Sequence, residues 1–232
     1  MTFKISGHFW FSLLLLTASV TTSVAQAGGI MLGGTRLIYP ANQKQVSMQV
    51  RNTSDSSSFL VQSWIEEANG TKSQDFVVTP PMYVSGPGKE NVLRIMYVGQ
   101  AVNPEKETLY YLNTKAIPSV DKNKLEGKNV LMVAAVTRIK LFVRPQGLKP
   151  SVIDAPSFLQ VTRQGDKVKV HNPTPYHITL AQIRIGGSNI PDIMINPQDN
   201  AEFPYRANTG NEFKFRTIDD YGALTPVRSV TF

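Results

Sequence analysis

Two basic side chains are the clearest candidates for a binding chemistry in this sequence. Lys140 lies in the second half of an apolar run, residues 129–144, and Arg36 lies in the segment 34–40. A lysine and an arginine held together can bind a carboxylate through charge-assisted hydrogen bonds. A chain-terminal carboxylate bound in this way would stop a docking strand in a fixed register. The sequence does not show that the two residues meet, and a solvated surface arginine is the alternative for Arg36.

Side chains that support catalysis or metal binding are scarce. The chain contains no cysteine, which excludes thiol catalysis, thiolate metal sites and disulfide bonds. His171 and His177 could in principle hold a metal, but no pattern of nearby carboxylates accompanies them, and a structural role is favoured. No nucleophile elbow, zinc-protease motif or phosphate-binding loop is present. We therefore expect a protein that is not an enzyme and that binds no metal, no nucleotide and no other cofactor.

Residues 1–27 have the composition of a cleaved secretory signal. Lys4 supplies a positive start, residues 9–20 are mainly apolar, and residues 25–27 (Ala-Gln-Ala) form a small-x-small cleavage pattern. The apolar stretch is short for a membrane span, and an N-terminal membrane anchor is the alternative. Cleavage would leave 232 − 27 = 205 residues and lower the formal charge from +7 to +6 with the loss of Lys4. We expect a soluble, exported protein.

The positive charge does not indicate a nucleic-acid partner. Lysine and arginine residues are scattered along the chain rather than clustered, and export would separate the protein from nucleic acid. A dispersed, solvated basic surface that steers an acidic partner is the better interpretation.

The mature chain has the pattern of an all-β protein. Val46, Met48 and Val50 alternate with polar residues, as in a half-buried strand, and turn-forming Pro, Gly and Asn separate the apolar segments. No stretch shows sustained helical periodicity. Short strands at this spacing predict β-sandwiches. Strands are predicted at residues 46–51, 59–65, 92–98, 108–117, 129–144, 167–171, 178–185, 202–205 and 213–218.

A linker-like segment, residues 145–150 (Pro-Gln-Gly-Leu-Lys-Pro), divides the mature chain. Each part has a length that suits one immunoglobulin-like sandwich. We therefore predict an N-terminal domain at residues 28–147 and a C-terminal domain at residues 148–232.

The run 129–144 is the most informative part of the sequence. Its first half is apolar on both faces of a strand, and cations appear only in its second half. A central strand buried on both sides is one interpretation. However, the last strand before the linker usually lies near a sheet edge in an immunoglobulin-like domain, and an unguarded apolar edge promotes aggregation. Such an edge is useful if the strand is meant to pair with another protein.

Seven segments, in this order and spacing, resemble the PapD-like family of periplasmic pilus chaperones over essentially the whole mature chain. The resemblance is closest to the chaperones of type 1-like fimbriae. The absence of cysteine and the modest loop at 119–128 are typical of the short-loop branch. The segments are GTRLIYP (34–40), QSWIE (62–66), VTPP (78–81), KAIP (115–118), TRIKLFVRP (137–145), NPTPY (172–176) and DYGALTP (220–226).

The resemblance implies a boomerang of two immunoglobulin-like domains that binds, folds and caps pilus subunits, including the adhesin. Donor-strand complementation is the implied mechanism, in which Leu131, Val133 and Ala135 enter the groove of an incomplete subunit. Ala135 is smaller than the group usual at its position. Arg36 and Lys140 match the basic pair that anchors the C-terminal carboxylate of the subunit. An outer-membrane usher is the implied recipient, and the periplasm is the implied location.

The resemblance also implies an ionic cluster between the domains, formed by Glu107, Arg144 and Asp220. Without it, these residues would be interpreted as exposed surface charges, whose pairs contribute about 0–1 kcal/mol each.

An exported adhesion module or a pilin is the structural alternative. Two complete domains and the match at Arg36 and Lys140 argue against a pilin, which is ordinarily a single incomplete domain. The sequence leaves open whether the free protein self-associates through the same edge strand.

Overall fold

The computed structural model describes residues 28–119, 132–206 and 210–232. The predicted signal at residues 1–27 and the predicted donor residue Leu131 lie outside this description. Within the described ranges, no helix is long and apolar enough to cross a membrane.

Nine strands form the N-terminal half of the described chain. They are β1 (Ile30–Leu32), β2 (Arg36–Pro40), β3 (Val46–Asn52), β4 (Phe59–Glu67), β5 (Phe76–Thr79), β6 (Met82–Ser85), β7 (Glu90–Tyr97), β8 (Thr108–Pro118) and β9 (Ala135–Arg144). One sheet has the strand order β1-β3-β7-β5, and the other has the order β2-β9-β8-β4-β6. The predicted strands at 46–51, 59–65, 92–98 and 108–117 are present as β3, β4, β7 and β8 with small shifts at their ends.

The two sheets share one apolar core because alternate residues of each strand point inward. In β3, for example, Met48 and Val50 are buried and their neighbours are exposed. Both sheets contribute, which makes this half a β-sandwich. Buried core residues include Val50, Leu93 and Ile95 from the four-stranded sheet, and Ile65, Leu112 and Leu141 from the five-stranded sheet.

The C-terminal half is a second sandwich. A 3₁₀ helix at Ala155–Phe158 precedes its strands. The strands are β10 (Gln160–Gln164), β11 (Lys167–His171), β12 (Ile178–Ile185), β13 (Ser188–Ile190), β14 (Ile193–Ile195), β15 (Asn200–Pro204), β16 (Glu212–Thr217) and β17 (Arg228–Thr231). The sheet β10-β11-β15 faces the sheet β13-β12-β16-β17, to which β14 adds through β12. Val168, Phe203, Leu180 and Phe213 pack between them. The predicted all-β class with two sandwiches is confirmed.

Strand β9 has different neighbours along its length. From Lys140 to Val143 it lies between β8, which is antiparallel, and β2, which is parallel. Over residues 135–139 it pairs with β8, and no other strand of the described chain lies along its opposite edge. The half of β9 that carries Lys140 is therefore interior to the sheet, and residues 135–139 form a sheet edge.

Strand β9 is shorter than the predicted strand at 129–144. Residues 132–134 adopt no strand, so the prediction is wrong there, and residues 129–131 lie outside the described chain. The ladder with β8 ends at the pair Ala116–Ala135. Beyond that pair, Pro118 ends β8, and proline has no N–H to donate to a further partner. Residues 132–134 lie beyond the end of this ladder.

Candidate functional site

Arg36 and Lys140 lie side by side. The parallel ladder between β2 and β9 sets Arg36 opposite Lys140 in its first pair. Both side chains are half-buried. The fold therefore brings together two cations that are 104 residues apart in the sequence (140 − 36), at the point where β2 begins.

Both cations reach from the N-terminal domain to the C-terminal domain. Arg36 Nη1 donates a hydrogen bond to the Ile218 carbonyl oxygen at 3.0 Å. Lys140 Nζ donates to Thr179 Oγ1 at 3.3 Å. The basic pair therefore lies at the junction between the domains. Sequence reasoning missed Thr179 and Ile218, because a threonine in an apolar strand and a backbone carbonyl carry no local signal of such a role.

The electrostatics of the pair favour an anion. Burial lowers the pKa of Arg36 below its ordinary value, although the negative charges of Asp220, Asp219 and Glu107 oppose this shift. Burial also lowers the pKa of Lys140, and the neighbouring charge of Arg36 lowers it further. Neither cation forms a salt bridge within the described chain. Two adjacent, partly desolvated cations are stabilised by a bound carboxylate, which is the chemistry that the sequence predicts for them.

Arg36 has an unused donor at this site. Its Nε atom is buried, and no described residue accepts a hydrogen bond from it. A buried donor without a partner is unfavourable, and an acceptor from another molecule would relieve that cost.

The open edge of β9 leads directly to the basic pair. Ala135 is exposed, and Val133, just before the strand, is 66% exposed. Met132 and Val136 are exposed as well. An exposed apolar edge of this kind is available to a strand from another chain. Of the predicted donor residues, Val133 and Ala135 lie along this path, and Leu131 is outside the described chain.

The structure also brings together Glu107, Arg144 and Asp220. Arg144 Nε donates to Glu107 Oε1 at 2.6 Å, and its two Nη atoms donate to the Asp220 carboxylate at 2.6 and 2.7 Å. Burial alone would lower the pKa of Arg144, but the hydrogen bonds and charges of Asp220 and Glu107 outweigh it and raise that pKa. The Glu107 side chain is 1% exposed, so a surface location does not describe this residue.

His177 belongs to the same cluster. Its backbone N–H donates to Glu107 Oε2 at 2.9 Å, and its ring Nδ1 lies 3.4 Å from the same oxygen. The ring packs against Phe142 of β9, with 5.2 Å between the ring centroids. His171 lies elsewhere, with Nδ1 3.0 Å from Asn200 Oδ1. Among the described residues, no group of three or more histidines and carboxylates is arranged to hold a metal ion.

A close backbone approach joins the domains beside this cluster. Gly222 has a φ of +84°, a conformation that favours glycine. A Cβ atom at Gly222 would overlap the hydroxyl group of Thr35, which directly precedes β2. The turn that carries Asp220 therefore packs tightly against the strand that carries Arg36.

Both halves of the chain match known family models. Residues 29–149 match the model described as "Pili and flagellar-assembly chaperone, PapD N-terminal domain". Residues 154–229 match "Pili assembly chaperone PapD, C-terminal domain". The chain belongs to the PapD family of pilus-assembly chaperones. The predicted family is confirmed, and it is a family of chaperones rather than of enzymes.

Relatives of this chaperone extend over nearly its whole length. "Probable fimbrial chaperone SfmC" of Escherichia coli strain K12 is 43% identical over 218 residues, which cover 94% of this chain and 95% of the relative. The crystal structure of the periplasmic chaperone SfaE is 41% identical, with a TM-score of 0.75 over 87% of this chain and 98% of that chain. The SafB chaperone, solved in complex with the SafA pilin of Salmonella enterica, is 27% identical, with a TM-score of 0.79 over 89% of this chain and 98% of that chain. These relatives identify the present chain as a fimbrial chaperone.

Proposed function

We propose that this chaperone acts in the periplasm, where it binds incomplete pilus subunits along the open edge of β9 and holds their C-terminal carboxylate at Arg36 and Lys140. The observation that carries the proposal is the change of neighbours along β9, which is open over residues 135–139 and closed by β2 from Lys140 onwards. In this proposal residues 28–147 form the subunit-binding domain and residues 148–232 form the C-terminal domain. The structure of SafB in complex with a pilin supports a pilus subunit as the partner.

The position of β2 defines where the bound strand of a pilus subunit must end. A strand that pairs with residues 135–139 takes the same side of β9 as β2, about 4.8 Å away, and lies in line with it. It therefore ends where β2 begins, at Arg36. A carboxylate at that end meets both cations and satisfies the free Nε of Arg36.

The same geometry predicts the direction of the bound subunit strand. Its C-terminal end lies beside Lys140, so it runs from the side of Ala135 towards Lys140, in the direction of β9 itself. The subunit strand therefore pairs in parallel with β9, as β2 does further along β9.

Such pairing meets a specific need of the pilus subunit. A sandwich that lacks a strand has unpaired backbone groups and an uncovered core, which promote aggregation. Strand β9 supplies both hydrogen-bonding groups and apolar side chains. An outer-membrane usher is the proposed recipient of the complex, and the adhesin is one of the proposed subunits.

When no pilin is bound, the same edge can pair with a second copy of the chaperone. We expect this self-association to depend on concentration and to disappear when a pilin is added, as measured by sedimentation of the purified protein.

The proposal is tested by removing one cation at a time. Arg36→Ala and Lys140→Met are each expected to yield a folded, exported protein that no longer retains pilins during purification from the periplasm. Arg51→Ala is the matched control, because Arg51 is an exposed arginine that contacts Glu90 at 3.7 Å on the other sheet. Equal pilin retention by the two cleft variants and the control would refute the carboxylate site.

A further inference from the structure

A row of small side chains crosses the five-stranded sheet at its open end. Ala135 of β9 pairs with Ala116 of β8, which in turn pairs with Val61 of β4. Residues directly opposite each other in a ladder project from the same face. On β9 that face is the core face, because Ile139 and Leu141, which alternate in phase with Ala135, are buried in the sandwich.

This row is separated from the main core by hydroxyl groups. The neighbouring row consists of Thr137, Thr114 and Ser63, and the Ser63 and Thr114 hydroxyls hydrogen bond at 3.1 Å. Beyond it lies a small apolar cluster that contains Val61 and Ala116. Phe59 completes the buried part of this cluster, against which Ile30 and Tyr83 pack.

The cluster is open on the side of Ala135. Ala116 is buried within it, but Ala135, the last residue of the row, is exposed. Ala135 and Ala116 have shorter side chains than Ile139 and Leu112, which form the pair nearer the core, so the alanine pair occupies less of the space beside the open edge. Protein interiors are close-packed, so an apolar depression that becomes buried on binding must be filled by the partner.

We infer that the Ala116–Ala135 pair is a size-selecting notch that accepts a bulky apolar side chain from the bound pilin strand. This inference rests on the proposed function. A strand paired with the edge of β9 brings its core-face side chain to within about 5 Å of Ala135, measured between Cβ atoms. The notch selects pilins with a large apolar residue at that position and disfavours pilins with a small one, which would leave a cavity.

The test enlarges Ala135 in the chaperone and then shortens the apolar residues of the pilin to restore the fit. Ala135→Leu is expected to weaken binding of the native pilins by about tenfold or more, since overpacking a filled site is unfavourable. Val92→Leu, which enlarges an exposed residue of the other sheet, is the matched control and is expected to change binding by less than about threefold. Both free variants should unfold at the temperature of the native protein, because both sites are exposed in the free chain.

Rescue by the pilin makes the test specific. Each apolar residue near the carboxyl terminus of the pilin is shortened to alanine in turn and measured against both chaperones. One of these substitutions should restore binding to Ala135→Leu while it weakens binding to the native chaperone. Undiminished binding by Ala135→Leu, or a loss that no pilin substitution restores, would overturn the notch. If Lys140→Met also retains pilins, the proposed function itself fails, so the two failures are distinguishable.

Discussion

Arg36 and Lys140 show how neighbouring residues acquire a binding role from partial burial. Each cation alone would be an ordinary solvated charge. Placed side by side and half-buried, they lose hydration, which lowers the pKa of each, and the charge of Arg36 lowers the pKa of Lys140 further. A bound carboxylate compensates for the lost hydration and for the repulsion between the two cations. Affinity for a chain terminus therefore arises because the two cations are unfavourably placed when no anion is bound.

The lowered pKa of Lys140 predicts how the affinity for the carboxyl terminus of a pilin depends on pH. A bound carboxylate favours the charged lysine, so the pKa of Lys140 is higher in the complex than in the free chaperone. Below the free-state pKa the lysine is charged in both states, and affinity is constant. Above it, binding must take up a proton, and affinity should fall as pH rises, by at most about tenfold per pH unit for one proton.

Calorimetry with a peptide that copies the carboxyl-terminal strand of a pilin measures this dependence. Lys140→Arg should move the loss of affinity to higher pH, because arginine stays charged. A peptide with an amidated carboxyl terminus is the control and should bind weakly at every pH. Identical alkaline pH profiles for the native and arginine chaperones would contradict an effect of Lys140.

Strand β9 combines two environments within ten residues. Its C-terminal part is buried on one face by the core and covered on the other by the second domain, through Lys140–Thr179 and Phe142–His177 contacts. Its N-terminal part has a free edge and exposed apolar side chains. The closed part anchors the strand, and the open part remains available to a partner.

A charge at the open end should abolish binding without unfolding the chaperone. Val133→Glu would place a carboxylate in an apolar groove, and burial of an unpaired charge is costly. We expect at least about a tenfold loss of co-purified pilin. Val92→Glu, at a half-exposed valine of the other sheet, is the matched control and should retain pilins. Retention by Val133→Glu would show that this segment does not enter the pilin.

The whole molecule depends on the contact between its domains. Arg144 bridges a fully buried carboxylate of its own domain, Glu107, and a partly exposed carboxylate of the other domain, Asp220. The His177 backbone and the close approach of Gly222 to Thr35 add to the same junction. The junction also positions Thr179 and Ile218 beside the basic pair, so the angle between the domains affects the binding site.

Loss of Arg144 should therefore destabilise the protein more than loss of the Asp220 charge. Arg144→Ala leaves the Glu107 carboxylate buried without a cation, which typically costs about 3–5 kcal/mol of unfolding free energy. Asp220→Asn removes the charge of a group whose side chain is 30% exposed, and we expect a loss of about 1 kcal/mol. Denaturant unfolding measures both, with Arg51→Ala as an exposed control. Equal losses for the two variants would contradict a dominant role for the buried Glu107–Arg144 pair.

Local sequence patterns predict where most strands lie but not which strands pair or where their ladders end. The alternation of Met48 and Val50 is sufficient for β3, because one buried and one exposed face produce a period of two. The run 129–144 predicts one strand, yet residues 132–134 adopt none, since apolar composition does not reveal where the ladder with a neighbouring strand ends. The contribution of Thr179 to the site has no local signal, because it results from docking of the second domain.

The sequence by itself determined the all-β class, the absence of thiol chemistry and the family, because strand periodicity, composition and ordered motifs are local properties of the chain. Only the tertiary structure decided that Arg36 meets Lys140, that Glu107 is buried, and that β9 has an open edge before Lys140. These facts depend on a parallel ladder between segments far apart in sequence and on contact between two domains. Pairing and burial of this kind are set by long-range packing, and local residue order does not encode them.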